Sequence, residues 1–201
     1  MSKEVKKRTT PRQYHWCPLP WTAIETTPNG EARVCCLSNT LVTRPDGSAY
    51  NLQTDSLQEV FQSDYMKSLR QEFLDGKKPS TCNKCWSVEQ AGGKSKRILA
   101  RDSLEHRKVF DPINYSDIDP KKIQFLDLKL GNICNLKCRI CSPHSSSQWS
   151  NEMAKLQPYA KKKWTEYNKQ GAWPRQKNTF LKHIEEVLEY IRFFERSLYF
   201  R

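Results

Sequence analysis

GNICNLKCRICSPH, residues 131–144, places Cys134, Cys138 and Cys141 within eight residues, separated by three and then two positions. The stretch before it, Ile123–Leu130, alternates: Leu126, Leu128 and Leu130 share one face, and Phe125, Asp127 and Lys129 share the other, as in a strand. The stretch after it, from about Ser145 to Leu156, reads as a helix. Residues 157–178, with Pro158, Gly171 and Pro174, read as irregular. A second helix follows, with the apolar stripe Phe180, Leu181, Ile184, Val187, Leu188 and Ile191, and SLYFR at the end reads as the start of another strand. Strand, helices, strand is the opening of an α/β unit with a parallel sheet. In α/β barrels catalytic groups collect at the C-terminal ends of strands, where these cysteines fall. Soft thiolates select zinc, copper(I) or iron–sulfur clusters. A structural zinc wants four ligands, and His144 can complete a Cys3His set. A four-iron cluster on three cysteines keeps one iron open to bind substrate.

The remaining cysteines lie upstream. Cys17, Cys35, Cys82 and Cys85 supply four thiols, a closed ligand set for an electron-transfer cluster or a structural zinc. TAIETT (22–27) and EARVCC (31–36) flank the turn Pro28-Asn29-Gly30 and read as a hairpin. Leu57, Val60, Phe61, Leu69 and Phe73 recur at helical spacing, with Thr54 or Asp55 as cap, and Gly76 and Pro79 end the helix. Another helix is expected over 87–105, weakened by Gly92 and Gly93. Cys36 neighbours Cys35 and faces the opposite side of a strand, so either can be the ligand. RKVFDPINYSDIDPKK (107–122), rich in turn formers, reads as a connector.

The chain has 201 residues, 37% of them hydrophobic and 28% charged, enough for one domain or two small ones. No apolar run approaches the roughly 20 residues of a membrane span. The basic N-terminus has no apolar stretch behind it, so it is no secretory signal, and the expected compartment is cytoplasmic. Eight cysteines in that compartment argue for metal over disulfides. The net charge of +12 is spread in short clumps, which suits a solvated surface as well as a nucleic-acid partner. His15, His106 and His183 lack ligand-like neighbours, and no phosphate-cradling glycine loop or hydrolase motif is present. Asp127 and Lys129 fit either a site or an ion pair.

The run ICNLKCRIC, between a strand and a helix, resembles the cluster loop of the radical SAM superfamily. The resemblance implies that Cys134, Cys138 and Cys141 hold a [4Fe–4S] cluster. Its open iron binds S-adenosyl-L-methionine and one electron releases a 5′-deoxyadenosyl radical, with the protein supplying orientation and a dry cavity. Ile140 stands where that family often has an aromatic residue, at a position whose backbone contacts the cofactor's adenine. WCPLPW (16–21), NGEARVCC (29–36) and GKKPSTCNKCW (76–86) resemble the twitch domain, a short relative of the SPASM domain. That implies an auxiliary [4Fe–4S] cluster on Cys17, Cys35, Cys82 and Cys85, with Cys35 preferred to Cys36 by its spacing from Gly30.

The expected organisation is a small α+β twitch module over 1–106, a connector over 107–120, and the first strand–helix units of a partial (β/α) radical SAM barrel over 121–201. Such barrels need roughly 200 residues or more. The family's glycine-rich segment, which contacts the methionine part of the cofactor, would begin near Arg201. The chain is therefore expected to be an N-terminal portion, a fragment or split product, with a separate polypeptide supplying the remaining barrel and a reductant protein supplying electrons. The alternative is a zinc-binding nucleic-acid interaction module, motivated by the charge and the two cysteine clusters.

Overall fold

The structure is a computed structural model and describes residues 15–107 and 123–170. The connector, the expected helix over 180–191, SLYFR and His183 lie outside the described residues, as does the side chain of His106.

Pro18, Pro20 and a buried Trp21 set the first element, α1 (Leu19–Thr22), a single turn that runs directly into strand β1 (Ala23–Thr26). The expected hairpin is present. Gly30, at φ 83°, takes the left-handed backbone that the turn requires, and β2 (Ala32–Arg33) returns antiparallel, Glu25 opposite Arg33. All four residues of β1 are buried. A strand buried on both faces needs hydrogen-bond partners along both edges. The second edge is filled by β3 (Phe125–Asp127), which pairs parallel to β1 in the order β2-β1-β3. The strand expected to open a separate barrel is thus the third strand of the hairpin's own sheet. It is also shorter than Ile123–Leu130. Leu126 and Leu128 pack against the core, whereas Leu130 is 48% exposed, just ahead of Gly131 at φ 138°.

The helix expected after Thr54 is two helices, α2 (Leu57–Phe61) and α3 (Asp64–Leu74). Its cap is Ser56, not Thr54 or Asp55: the Ser56 hydroxyl accepts from the Glu59 amide and the Glu59 carboxylate takes the Ser56 amide, a reciprocal capping box. Asp55 instead accepts from the Asn51 amide and pairs with Arg44 at 2.6 Å. Ser63 caps α3, and Gly76, at φ 74°, follows its end.

The helix expected over 87–105 also divides, into α4 (Asn83–Gln90) and α5 (Lys96–Arg107), with Gly92 at φ 80° in the break. Beyond the cysteine loop a 3-10 turn (Ser147–Trp149) leads into α6 (Ser150–Leu156). Within the stretch expected to be irregular, a 3-10 turn at Pro158–Ala160 is followed by α7 (Lys161–Gln170). Pro158 sits in the first turn, where its missing N–H costs nothing, so it starts structure here instead of breaking it.

One core runs from Trp16 to Phe73, with Trp21, Ile24, Val34, Leu52, Phe61 and Phe73 almost wholly enclosed; Ile123 is its one fully buried apolar member from the second described segment. Among the described residues no helix is long and apolar enough to cross a membrane.

Candidate metal centres

Four elements converge on a small cavity. Cys17 enters from the segment before α1, Cys35 from the end of the hairpin, Cys82 from a 3-10 turn (Ser80–Cys82) and Cys85 from the first turn of α4; all four thiols line the cavity together with Leu19, Val34 and Arg97. Hydroxyl contacts tie the hairpin end to the Cys82 turn. Ser38 Oγ lies 2.8 Å from Thr81 Oγ1, Thr40 Oγ1 lies 2.7 Å from it, and the Asn39 amide donates to Thr81 O at 3.0 Å. Ser38, whose amide donates to Cys35 O, is buried, so this network holds Cys35 in register with Cys82. On the other flank Trp86 donates from Nε1 to Pro79 O at 3.0 Å and packs against Phe73, which packs against Trp21. His15 meets the Trp86 ring edge-on.

The cavity is hostile to charge until a metal arrives. Burial pushes the Cys17 thiol well up, and Cys82, Cys35 and Cys85 add to the shift by like-charge repulsion. Cys82 is pushed up to about 12 by burial and by the neighbouring Cys35 and Cys85, with Arg97 opposing. Thiols of this kind stay protonated until a cation compensates the thiolate charge. Among the described residues, Arg97 is the one cationic side chain on the cavity wall. It is 2% exposed, donates to Trp16 O at 2.7 Å and pairs with Glu89.

Cys36 stands apart from this set. Lys96 Nζ donates to its sulfur at 2.7 Å, and it lines a different cleft, between α5 and the sheet.

The trio sits on the loop after β3. Cys138 is exposed and Cys134 and Cys141 are half-buried. The loop folds on its own polar groups: the Leu136 amide faces Cys134 Sγ at 3.4 Å, the Cys141 amide donates to Cys138 O at 3.0 Å, and Trp149 Nε1 donates to Cys138 O at 3.1 Å. Ser146, fully buried, donates to Leu136 O at 2.9 Å, and the Ser147 amide donates to Asn132 O at 2.8 Å. The Cys141 thiol is raised, first by desolvation and then by Cys138 and Cys134, which places the three sulfurs within each other's fields. Ile140 is 97% exposed, and Ile133 and Leu136 on the same loop are exposed as well.

Among the described residues, no three His, Cys, Asp or Glu side chains are grouped so as to hold a single metal ion. A tetrahedral zinc would draw its sulfurs to about 2.3 Å from one point. A cubane, with an iron at each of four corners, spreads its thiolates more widely. Both donor sets are all-thiol, which suits an iron–sulfur cluster and, for the four-thiol set, a structural zinc as well.

Asp127 and Lys129 form an ion pair at 3.4 Å, and Lys129 also binds Glu25, a buried carboxylate on β1. Sequence reasoning passed over Glu25, Arg97 and Lys96. A charged residue inside TAIETT was the only signal for Glu25, and nothing local distinguishes Lys96 or Arg97 from other basic residues.

Residues 17–86 match the family model SPASM, an iron-sulfur cluster-binding domain. The matched span begins at Cys17, contains Cys35 and Cys82, and closes one residue after Cys85. The module built from α1 to α4 is therefore a SPASM-like iron–sulfur module, of a kind that occurs in radical SAM enzymes. No curated protein and no solved structure matched the chain.

Proposed function

We propose that this chain is part of a radical SAM enzyme with two [4Fe–4S] clusters. Cys134, Cys138 and Cys141 hold the cluster that binds S-adenosyl-L-methionine, and Cys17, Cys35, Cys82 and Cys85 hold an auxiliary one. The convergence of four separately contributed thiols on one cavity, inside a segment matching an iron–sulfur domain, carries this reading.

A three-thiolate cluster supplies one-electron reductive cleavage of S-adenosyl-L-methionine when it is bound. The chain's own residues prepare for that. Cys134, Cys138 and Cys141 offer three ligands on a self-bonded loop, which would leave one iron of a four-iron cluster without a protein ligand and open to the cofactor. The Leu136 amide faces Cys134 Sγ and would stabilise anionic sulfur there. The exposed Ile140 presents its backbone for adenine and its side chain as an apolar cover. In the module, Arg97 would offset negative charge at Cys82, and Trp16, Trp21 and Trp86 would help keep water from the core beside the thiols. A reductant protein supplies the electron.

Metal analysis tests the proposal. Anaerobically prepared protein should contain about eight irons and eight acid-labile sulfides per chain, two four-iron clusters. Adding S-adenosyl-L-methionine to the reduced protein should change the paramagnetic spectrum of one cluster only. Stoichiometric zinc without sulfide after anaerobic reconstitution would refute it.

A further inference from the structure

The cleft between α5 and the sheet adjoins the four-thiol cavity, sharing Leu19, Val34 and Cys35 with it, but its charged lining is not part of either cysteine set. Its volume is about 540 Å³, within the range of small-molecule sites. Its walls carry Leu99 and Phe125, which are 55% and 37% exposed although large and apolar. Its polar lining has both signs. On one side is Lys96, whose ammonium gives one hydrogen bond to Cys36 and has two N–H groups left. On the other are Asp127 and Glu25, paired in register across β1 and β3. Asp127 lies within the electrostatic reach of Lys96, yet the two make no ion pair. Lys129 engages one oxygen of each carboxylate, Oε1 of Glu25 and Oδ1 of Asp127. Glu25 Oε2 is buried and accepts no hydrogen bond, with Arg33 Nε at 4.0 Å. That oxygen is closed off from the cleft, so the carboxylate of the pair that faces a ligand is Asp127, whose side chain is 52% exposed.

We propose that this cleft binds a zwitterionic ligand with an apolar body, the chemistry of a free α-amino acid. Lys96 takes the carboxylate, Asp127 takes the ammonium, and the side chain lies between Leu99 and Phe125. The site does not rest on the radical SAM reading, because none of these contacts involves the cysteine trio and the test reads binding alone.

The experiment is calorimetric titration of the intact, anaerobically prepared protein with L-phenylalanine and L-leucine. 2-Phenylethylamine, which lacks the carboxylate, and 3-phenylpropionate, which lacks the ammonium, serve as comparisons. At least one amino acid should saturate a single site, and each singly charged analogue should bind about tenfold or more weakly, the loss of one charged hydrogen-bonding group. Lys96→Gln should bring phenylalanine and phenylethylamine to within about threefold of each other, and Asp127→Asn should do the same for phenylalanine and phenylpropionate. No saturation by either amino acid up to roughly 10 mM, near the weak limit of specific binding, would overturn the site. So would equal binding of phenylalanine and its singly charged analogues to the unmodified protein, a comparison that holds even if a variant fails to fold.

Discussion

At the scale of single residues, neighbouring cysteines have different fates. Cys35 joins Cys17, Cys82 and Cys85 at one cavity, while Cys36 turns to Lys96. Cys35→Ala should therefore remove about four of the eight irons, one cluster's worth, and Cys36→Ala should remove almost none, as read by iron and sulfide content. Arg97 offers a second residue-scale test. Its guanidinium is buried between Glu89, Trp16 O and the Trp86 ring, whose centroid lies 4.8 Å away. Arg97→Ala removes charge-assisted hydrogen bonds to the half-buried Glu89 and to Trp16 O, so it should cost about 1.5–3 kcal/mol in chemical denaturation. Burial alone would raise the Glu89 carboxyl, but hydrogen bonds from Arg97 and Ser95 outweigh it and hold it below the usual range. A depressed folded value stabilises above the unfolded pKa, near about 4.3, and that stability fades as pH falls through the folded value. Unfolding midpoints of Glu89→Gln should accordingly fall less steeply than those of the unmodified protein from about pH 5 to pH 3.

At the scale of elements, glycine and serine set the boundaries. The apolar periodicity from Leu57 to Phe73 is continuous, so it reads as one helix. Two serines with capping geometry, Ser56 and Ser63, cut it into α2 and α3. Ser56→Ala should cost about 1 kcal/mol by denaturant midpoint, the usual loss of an N-cap, whereas Thr54→Ala should stay within roughly 0.5 kcal/mol. The division of α4 from α5 has a functional consequence. Turning at Gly92 brings Lys96 to Cys36 and Arg97 to the four-thiol cavity, 14 and 15 residues after Cys82. A single helix over 87–105 would have carried both side chains onward along its axis.

At the scale of the whole molecule, the two cysteine sets occupy unequal surroundings. The four-thiol cavity is built into the core, and the trio loop stands beyond the end of β3 on its own hydrogen bonds, with Ile133, Leu136 and Ile140 exposed. Because the ligand sets do not overlap, replacing Cys134, Cys138 and Cys141 together by alanine should remove about half the iron and leave the remaining cluster's spectrum unchanged. Unchanged iron content would show that the trio holds no cluster.

The cysteine spacings, the hairpin turn at Gly30 and the apolar stripe of Leu57–Phe73 were all legible in the chain, because each depends on residues a few positions apart. The candidate trio Cys134, Cys138 and Cys141 was legible for the same reason, whereas Cys17, Cys35, Cys82 and Cys85 span 68 positions and were grouped through the family resemblance. Sequence alone could not show that β3 lies beside β1 or that Glu25 meets Lys129. Nor could it show that Lys96 claims Cys36, or that a two-signed cleft opens between α5 and the sheet. Those contacts span 60 to 104 positions. They are decided by which buried strand edge needs a partner and which buried charge needs a counter-charge, and both needs exist only once the core around Trp21 and Ile24 has closed.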